Sequence, residues 1–361
     1  MAEIPRISRR AAIGRLAAGA GFVAAGPRVL GAAPRQDACA ALAGQRIDWL
    51  VGWSIGGGYD VYSRLIEPVL EDALRAEVVV KNAPGASGLV AARRLSAATP
   101  DGRTLGILNG TGLVVAPSAG GLAAPVLDGD FTVLARIVDH RQSLVVGAHL
   151  GVTSLDQFVA LGRRRPIVLG ATGPATVNVL LGALVGDLFG IDTRLVLGFP
   201  GSVQVIASVR RGELDGMVVG DETQAGADEV LPLALFQLAR PGEAGGGVPN
   251  LLDDGSLIDR QPRLFPNPEK ARADLAAIEA LVGVGRLIAA LPGVAPPLQR
   301  CLESAILTSL RHPELTRRAT RARRSLVPAS AAEVFRHLAL ARQAMPRFDN
   351  LLATALGRAG R

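Results

Sequence analysis

Between Asp48 and Val219 the sequence passes twice through one order of elements: short apolar runs alternate with longer amphipathic stretches, and glycine or proline marks the joints. Asp48–Gly52 reads as a buried strand, Val61–Leu74 as a helix with Val61, Leu65 and Val69 on one face, and Glu77–Lys81 as a second strand. A helix over Leu89–Ala98 and a strand over Thr104–Leu108 complete the unit. The second unit has strands at Pro166–Gly170, Thr193–Leu197 and Gly216–Val219, with helices at Val177–Phe189 and Ser202–Arg211. Parallel strands need crossovers long enough to hold a helix, so two such units predict an α/β fold of two lobes, each with its own sheet. Residues 45–140 with 290–361 are expected to form the first lobe and 141–289 the second, the chain crossing near Val138–Val146 and Val282–Ala290. Gly110–Asp130, rich in Gly, Ala and Pro, reads as a loop and lid edge, and residues 241–268 around Gly245-Gly246-Gly247 as a second irregular segment. Helix starts at Ala295-Pro296-Pro297 and at Ser330 before Glu333 make the C-terminal region helical, and it is expected to pack on the first lobe.

Residues 1–40 carry an address. Ser8-Arg9-Arg10, a weakly apolar stretch from Leu16 to Gly26, and small residues at Gly31-Ala32-Ala33 or Ala38-Cys39-Ala40 predict a twin-arginine export signal and a periplasmic destination. The apolar stretch lies between Arg15 and Arg28, well short of the ~20 residues that span a bilayer. Gln36-Asp37-Ala38 before Cys39 is no apolar lipobox. Two cysteines, Cys39 and Cys301, are too few for a disulfide scaffold or a metal site; they either pair in an oxidising compartment or stay free, and a cut after Ala40 would remove the first. The net charge of +7 does not describe a nucleic-acid surface: five arginines fall in residues 1–33, Lys/Arg runs stop at Arg163-Arg164-Arg165, and aromatics are 4 %.

The stretch Leu50 to Asp60 is the most informative. A strand runs into Gly56-Gly57-Gly58 and then a helix, so the backbone can approach a ligand closely and first-turn N–H groups can meet a carboxylate or phosphate. A dinucleotide fingerprint fails, because the third glycine position after Gly56 and Gly58 holds Val61. Gly52-Trp53-Ser54-Ile55-Gly56 does match a nucleophile elbow, with His312 and His337 downstream as bases, and a secreted serine hydrolase using Ser54 is the alternative reading. Against it, the elbow would come at the start of the mature chain with no glycine-rich oxyanion segment upstream. Further turns at Lys81–Gly88, Gly170–Thr176 and Gly198–Ser202 offer amides and hydroxyls. Asp215 reads as a turn residue and Asp221 as the better group to face a cleft. No His/Cys cluster has metal spacing, and no cofactor is expected.

Several motifs fall together: Gly56-Gly57-Gly58-Tyr59-Asp60 with Arg64, Asn82 with Pro84-Gly85-Ala86, Asp101-Gly102-Arg103-Thr104-Leu105, and Gly198–Ser202 followed by Arg211-Gly212-Glu213 and Asp215-Gly216. In these the sequence, from about Arg46 to Val327, resembles the extracytoplasmic binding proteins of tripartite tricarboxylate transporters, the Bug family. It departs from the family where Trp53-Ser54-Ile55 replaces a proline-containing turn, and at Pro174. The resemblance implies a two-lobed type II periplasmic-binding fold with a ligand cleft between lobes, closing without chemistry on a mono-, di- or tricarboxylate. It places Trp53, Ser54, Gly57, Gly58, Tyr59 and Asp60 on one jaw and Thr172, Gly173, Thr176, Phe199, Gly201 and Ser202 on the other, with Asn109 and Thr111 contributing. The implied partners are a small carboxylate and the membrane components of such a transporter, the chain itself being a monomer. A non-carboxylate solute, used in sensing, is the remaining alternative.

Overall fold

Two mixed sheets organise the computed structural model, which describes residues 37–119, 125, 127–139, 141–220, 230–236, 248–252 and 256–359. The first sheet has the order β11-β4-β10-β3-β1-β2, from β1 (Arg46–Val51), β2 (Glu77–Asn82), β3 (Thr104–Asn109), β4 (Thr132–Val138), β10 (Arg286–Ala290) and β11 (Ala329–Ser330). The second runs β7-β6-β8-β5-β9, from β5 (Gln142–Gly147), β6 (Ile167–Gly170), β7 (Thr193–Val196), β8 (Gly216–Gly220) and β9 (Val230–Leu235). The two share a plan. In each, three strands of a β-α-β-α-β unit lie parallel, and an antiparallel strand from beyond a crossing slots in beside the third: β10 next to β3, and β5 next to β8.

The crossover helices are α2 (Gly58–Leu74) and α3 (Leu89–Ser96) in the first lobe, and α6 (Val177–Phe189) and α7 (Ser202–Arg210) in the second. On α2, Tyr62, Ile66, Val69, Leu70 and Leu74 are buried at helical spacing, and with Trp49 and Ile47 of β1 they build one face of the first sheet. Each such side chain contributes roughly 1.5–3 kcal/mol when fully buried. Helix α6 is buried nearly all round, which its run of Val, Leu, Gly and Ala allows.

Four expectations need correction. Gly110–Asp130 is not loop throughout: Asn109 accepts the Gly112 N–H at 2.9 Å and starts a helix, α4 (Gly110–Val115), whose Leu113 and Val115 are buried. The chain re-enters the first sheet at Arg286, where β10 begins, four residues before the expected boundary at 290. Helix α9 (Pro268–Val282), expected in the second lobe, packs on α12 (Ala331–Ala344), itself against β4, because Leu275 and Ile278 share a core with Val334 and Leu338. The last helix, α13 (Asp349–Ala359), expected on the first lobe, packs on α6 and β7 of the second through Leu351, Leu352 and Leu356. Gly245-Gly246-Gly247 and most of the export signal lie outside the described residues.

Cys39 and Cys301 are joined, with Cα atoms 5.7 Å apart, which resolves the choice left open by the sequence. The bond ties the chain ahead of β1 to α10 (Pro296–Leu310). Among the described residues no helix is long and apolar enough to cross a membrane.

Candidate functional site

In open α/β sheets ligands meet the loops at the carboxyl ends of parallel strands, and here both sheets turn those ends toward one cleft. β1 leads into Trp53–Gly57, β3 ends at Asn109, β6 leads into Thr172–Thr176, and β8 ends at Gly220. Residues from all four segments line a cavity of about 480 Å³, counting its open mouth. The antiparallel strand adds a residue to the same place. Because β10 pairs against β3 with Arg286 opposite Asn109, Arg286 enters beside the carboxyl end of β3.

The first-lobe wall is held by a charged brace. The Asp60 carboxylate, buried, accepts the Gly56 N–H at 2.9 Å, Arg64 Nε at 3.1 Å and Asn82 Nδ2 at 3.0 Å. Asn82 Nδ2 also donates to the Trp53 carbonyl at 2.9 Å, so the whole turn is fixed from behind. Burial works to raise the Asp60 pKa; Arg64, the Gly56 N–H and Asn82 together outweigh it and hold the carboxyl below its ordinary value. In front of the brace, the Trp53 and Tyr59 rings stack with centroids 3.7 Å apart. The Arg286 guanidinium lies 4.7 Å from the Tyr59 centroid and 5.0 Å from that of Tyr62. It passes so close to Gly58 that a Cβ there would stand 3.3 Å from Nη2.

Among the described residues, the second-lobe wall puts no charged side chain in the cavity lining. Thr176 Oγ1 donates to the Gly173 carbonyl at 2.8 Å and Asn178 Nδ2 to the Val218 carbonyl at 2.5 Å, both buried. Thr172, Gly201, Ser202 and Gly220 complete it. The walls touch at the rim: a Cβ on Gly173 would meet Ser87 Oγ at 2.3 Å, and one on Gly201 would meet Ser54 Oγ at 3.1 Å.

Of the residues proposed from sequence, Trp53, Gly57, Gly58, Tyr59, Asn109, Thr172, Thr176, Gly201 and Ser202 line this cavity. Gly173 and Phe199 line an adjoining one nearer the mouth, and Ser54 sits at the rim. Two belong elsewhere. Asp60 is the brace rather than a lining group, and Thr111 is buried, donating to the Leu281 carbonyl at 3.2 Å. Asp221 lies outside the described residues. Asn178, Gly220 and Arg286 were missed. Arg286 had a signal, a lone charge inside the apolar run Val282–Ala290.

Of the described histidines, His312 Nδ1 accepts the Glu314 N–H, His337 packs on Gly283, and His149 lies beside Asp215. Among the described residues no group of His, Cys, Asp and Glu could hold a metal ion.

At the N-termini of α2, α6 and α7, which open on the cleft, Gly57, Thr176 and Gly201 make no side-chain cap bond. Asn109, also in the cleft, does cap α4, and elsewhere Ser154, Ser256, Asn267, His312 and Ser330 cap their helices while Ala295 before α10 does not. First-turn N–H groups have no intrahelical acceptor, so α2, α6 and α7 bring to the cleft donors that no cap side chain takes up.

Two sheets of one topology with a polar cleft between them define a periplasmic-binding-protein fold. Solved structures agree: periplasmic binding protein BugD superposes with a TM-score of 0.65 at 18 % identity, covering 86 % of this chain and 97 % of its own. An R. palustris protein solved with adipate gives 0.68 at 18 %, covering 87 % and 97 %. The family described as "Tripartite tricarboxylate transporter family receptor" matches residues 63–226. A UPF0065 protein of Bordetella bronchiseptica is 29 % identical over 175 residues, 48 % of this chain and 52 % of the relative. These matches liken the chain to the tripartite tricarboxylate transporter receptors, the Bug proteins. It spans between about a third and two thirds of the length of the curated relatives it matches.

Proposed function

We propose that the chain is a periplasmic solute-binding protein whose lobes close on a small carboxylate and present it to the membrane components of a tripartite tricarboxylate-type transporter. The observation that carries this reading is the set of uncapped helix N-termini at Gly57, Thr176 and Gly201, contributed by both lobes to one polar cavity that also holds Arg286. Such donors suit an anion, and a carboxylate bound between them would favour the closed arrangement over the open one. The adipate in the related fold supports this ligand chemistry. Export through the arginine pair at Arg9-Arg10 and a monomeric state belong to the same reading. The same reading includes no catalysis.

A thermal-shift screen of mono-, di- and tricarboxylates tests it, with amides, sugars and phosphates as controls. A ligand at a hundredfold excess over Kd adds about 2.7 kcal/mol to the folded state, a shift of several degrees. A rise confined to carboxylates, without turnover, supports the reading. No shift with any acid, together with ester hydrolysis lost in Ser54→Ala, would replace it with the hydrolase.

A further inference from the structure

The cleft continues outward past Trp53. Trp53 and Thr172 line the inner cavity and also a second one at the mouth, of about 890 Å³ counting its opening to solvent. Composition changes across that boundary: Asn109, Thr176, Asn178, Ser202 and Arg286 lie on the inner side, and Pro84, Pro174, Phe199 and Pro200 on the outer, with Ser87 their polar neighbour. Pro84 comes from the first lobe and the other three from the second, so the outer cavity too is built by both walls. Its surfaces are pre-set. The prolines fix their own φ, and the Trp53 indole is held between the Tyr59 ring and the Gly88 backbone, where a Cβ would stand 2.5 Å from it.

We propose that the outer cavity is a subsite for the apolar tail of a monocarboxylate whose carboxylate end lies in the inner cavity. The inference rests on the carboxylate reading above and adds a ligand class to it. An apolar tail would exchange water for proline and aromatic surface. A second carboxylate placed there would exchange part of its hydration for the Ser87 and Thr172 hydroxyls and loop backbone, with no cationic side chain among the described lining residues to pair it. An extended dicarboxylate is therefore disfavoured against an apolar-tailed acid of similar length. The polar inner end and the apolar outer end together fit an amphipathic acid.

Isothermal titration of the mature protein with phenylacetate and phenylpropionate, against acetate, succinate and adipate, tests the proposal. The phenyl acids are expected to bind roughly tenfold or more tightly than the others, the discrimination an apolar pocket supplies. In Phe199→Ala that ratio should fall toward unity, and Pro174→Ser gives the same readout should the first variant fold poorly. Adipate or succinate binding as tightly as the phenyl acids overturns the outer subsite and leaves the carboxylate reading standing. Phenylacetamide binding as well as phenylacetate, or no acid binding at all, overturns both.

Discussion

The two walls of the cleft are braced differently, although the sheets behind them share a plan. In the first lobe the charged brace, Asp60 with Arg64 and Asn82, sits directly behind the ligand-facing turn. In the second lobe the comparable brace is at the far end of the sheet. Asp215 accepts Arg165 Nη1 and Nη2 at 2.6 and 2.7 Å and the Val168 N–H at 2.8 Å, holding the starts of β6 and β8, while the cleft end relies on neutral bonds from Thr176 and Asn178. The difference separates fold stability from site geometry. In the first lobe one carboxylate serves both; in the second they are divided.

Breaking each brace shows this most strongly. Asp60→Ala should cost about 2–3 kcal/mol in urea unfolding, below a fully buried pair because Arg64 is half exposed, and should weaken ligand binding as well. Asp215→Ala should cost a similar amount and leave affinity unchanged; equal losses of affinity in the two variants would end the comparison. Acid sharpens it. Both carboxyl pKa values are held below the ordinary value, Asp60 by Arg64, Gly56 and Asn82 and Asp215 by Arg165 and Val168, in each case against burial. Their stabilisation is complete above about pH 4, the unfolded carboxylate range, and is lost as pH falls through the lower folded values. A denaturation series from pH 6 to pH 2 should therefore show a steeper decline in the wild type than in Asp60→Ala.

Smaller effects probe where the walls touch. Gly173→Ala places a Cβ against Ser87 Oγ and should oppose closure by about 1–3 kcal/mol, about 5- to 150-fold in Kd. Ser87→Gly in the same chain should restore affinity, and it removes a serine held at φ 58°. Thr176→Val, which loses one neutral bond to the Gly173 carbonyl, should cost only about 1 kcal/mol by the same urea assay.

The loops of the cleft were legible because their signals are local: a strand, glycines, then a helix, with the carboxyl end of the strand fixing where the turn must lie. Arg286 was not, because its position depends on the register of β10 against β3, 177 residues apart in sequence at the Arg286–Asn109 pair. Asp60 shows a subtler limit. An aspartate after a glycine turn can face a ligand or brace the turn, and what decides is Asn82, at the end of the neighbouring strand β2. The placement of α13 on the second lobe was equally hidden, since its apolar face would have suited either sheet.

The bond between Cys39 and Cys301 makes the chain two proteins of different stability, according to where it is found. A disulfide closing so long a loop typically contributes about 2–4 kcal/mol, and reducing compartments do not maintain such bonds. A copy retained behind the membrane would be the softer form, easier for proteases to open, and a copy that has crossed would be hardened by oxidation. Of the cut sites that the sequence offers, only the one at Gly31-Ala32-Ala33 keeps both sulfurs in the mature chain for certain. On the export reading proposed above, processing and durability are linked through a single residue ahead of the first strand.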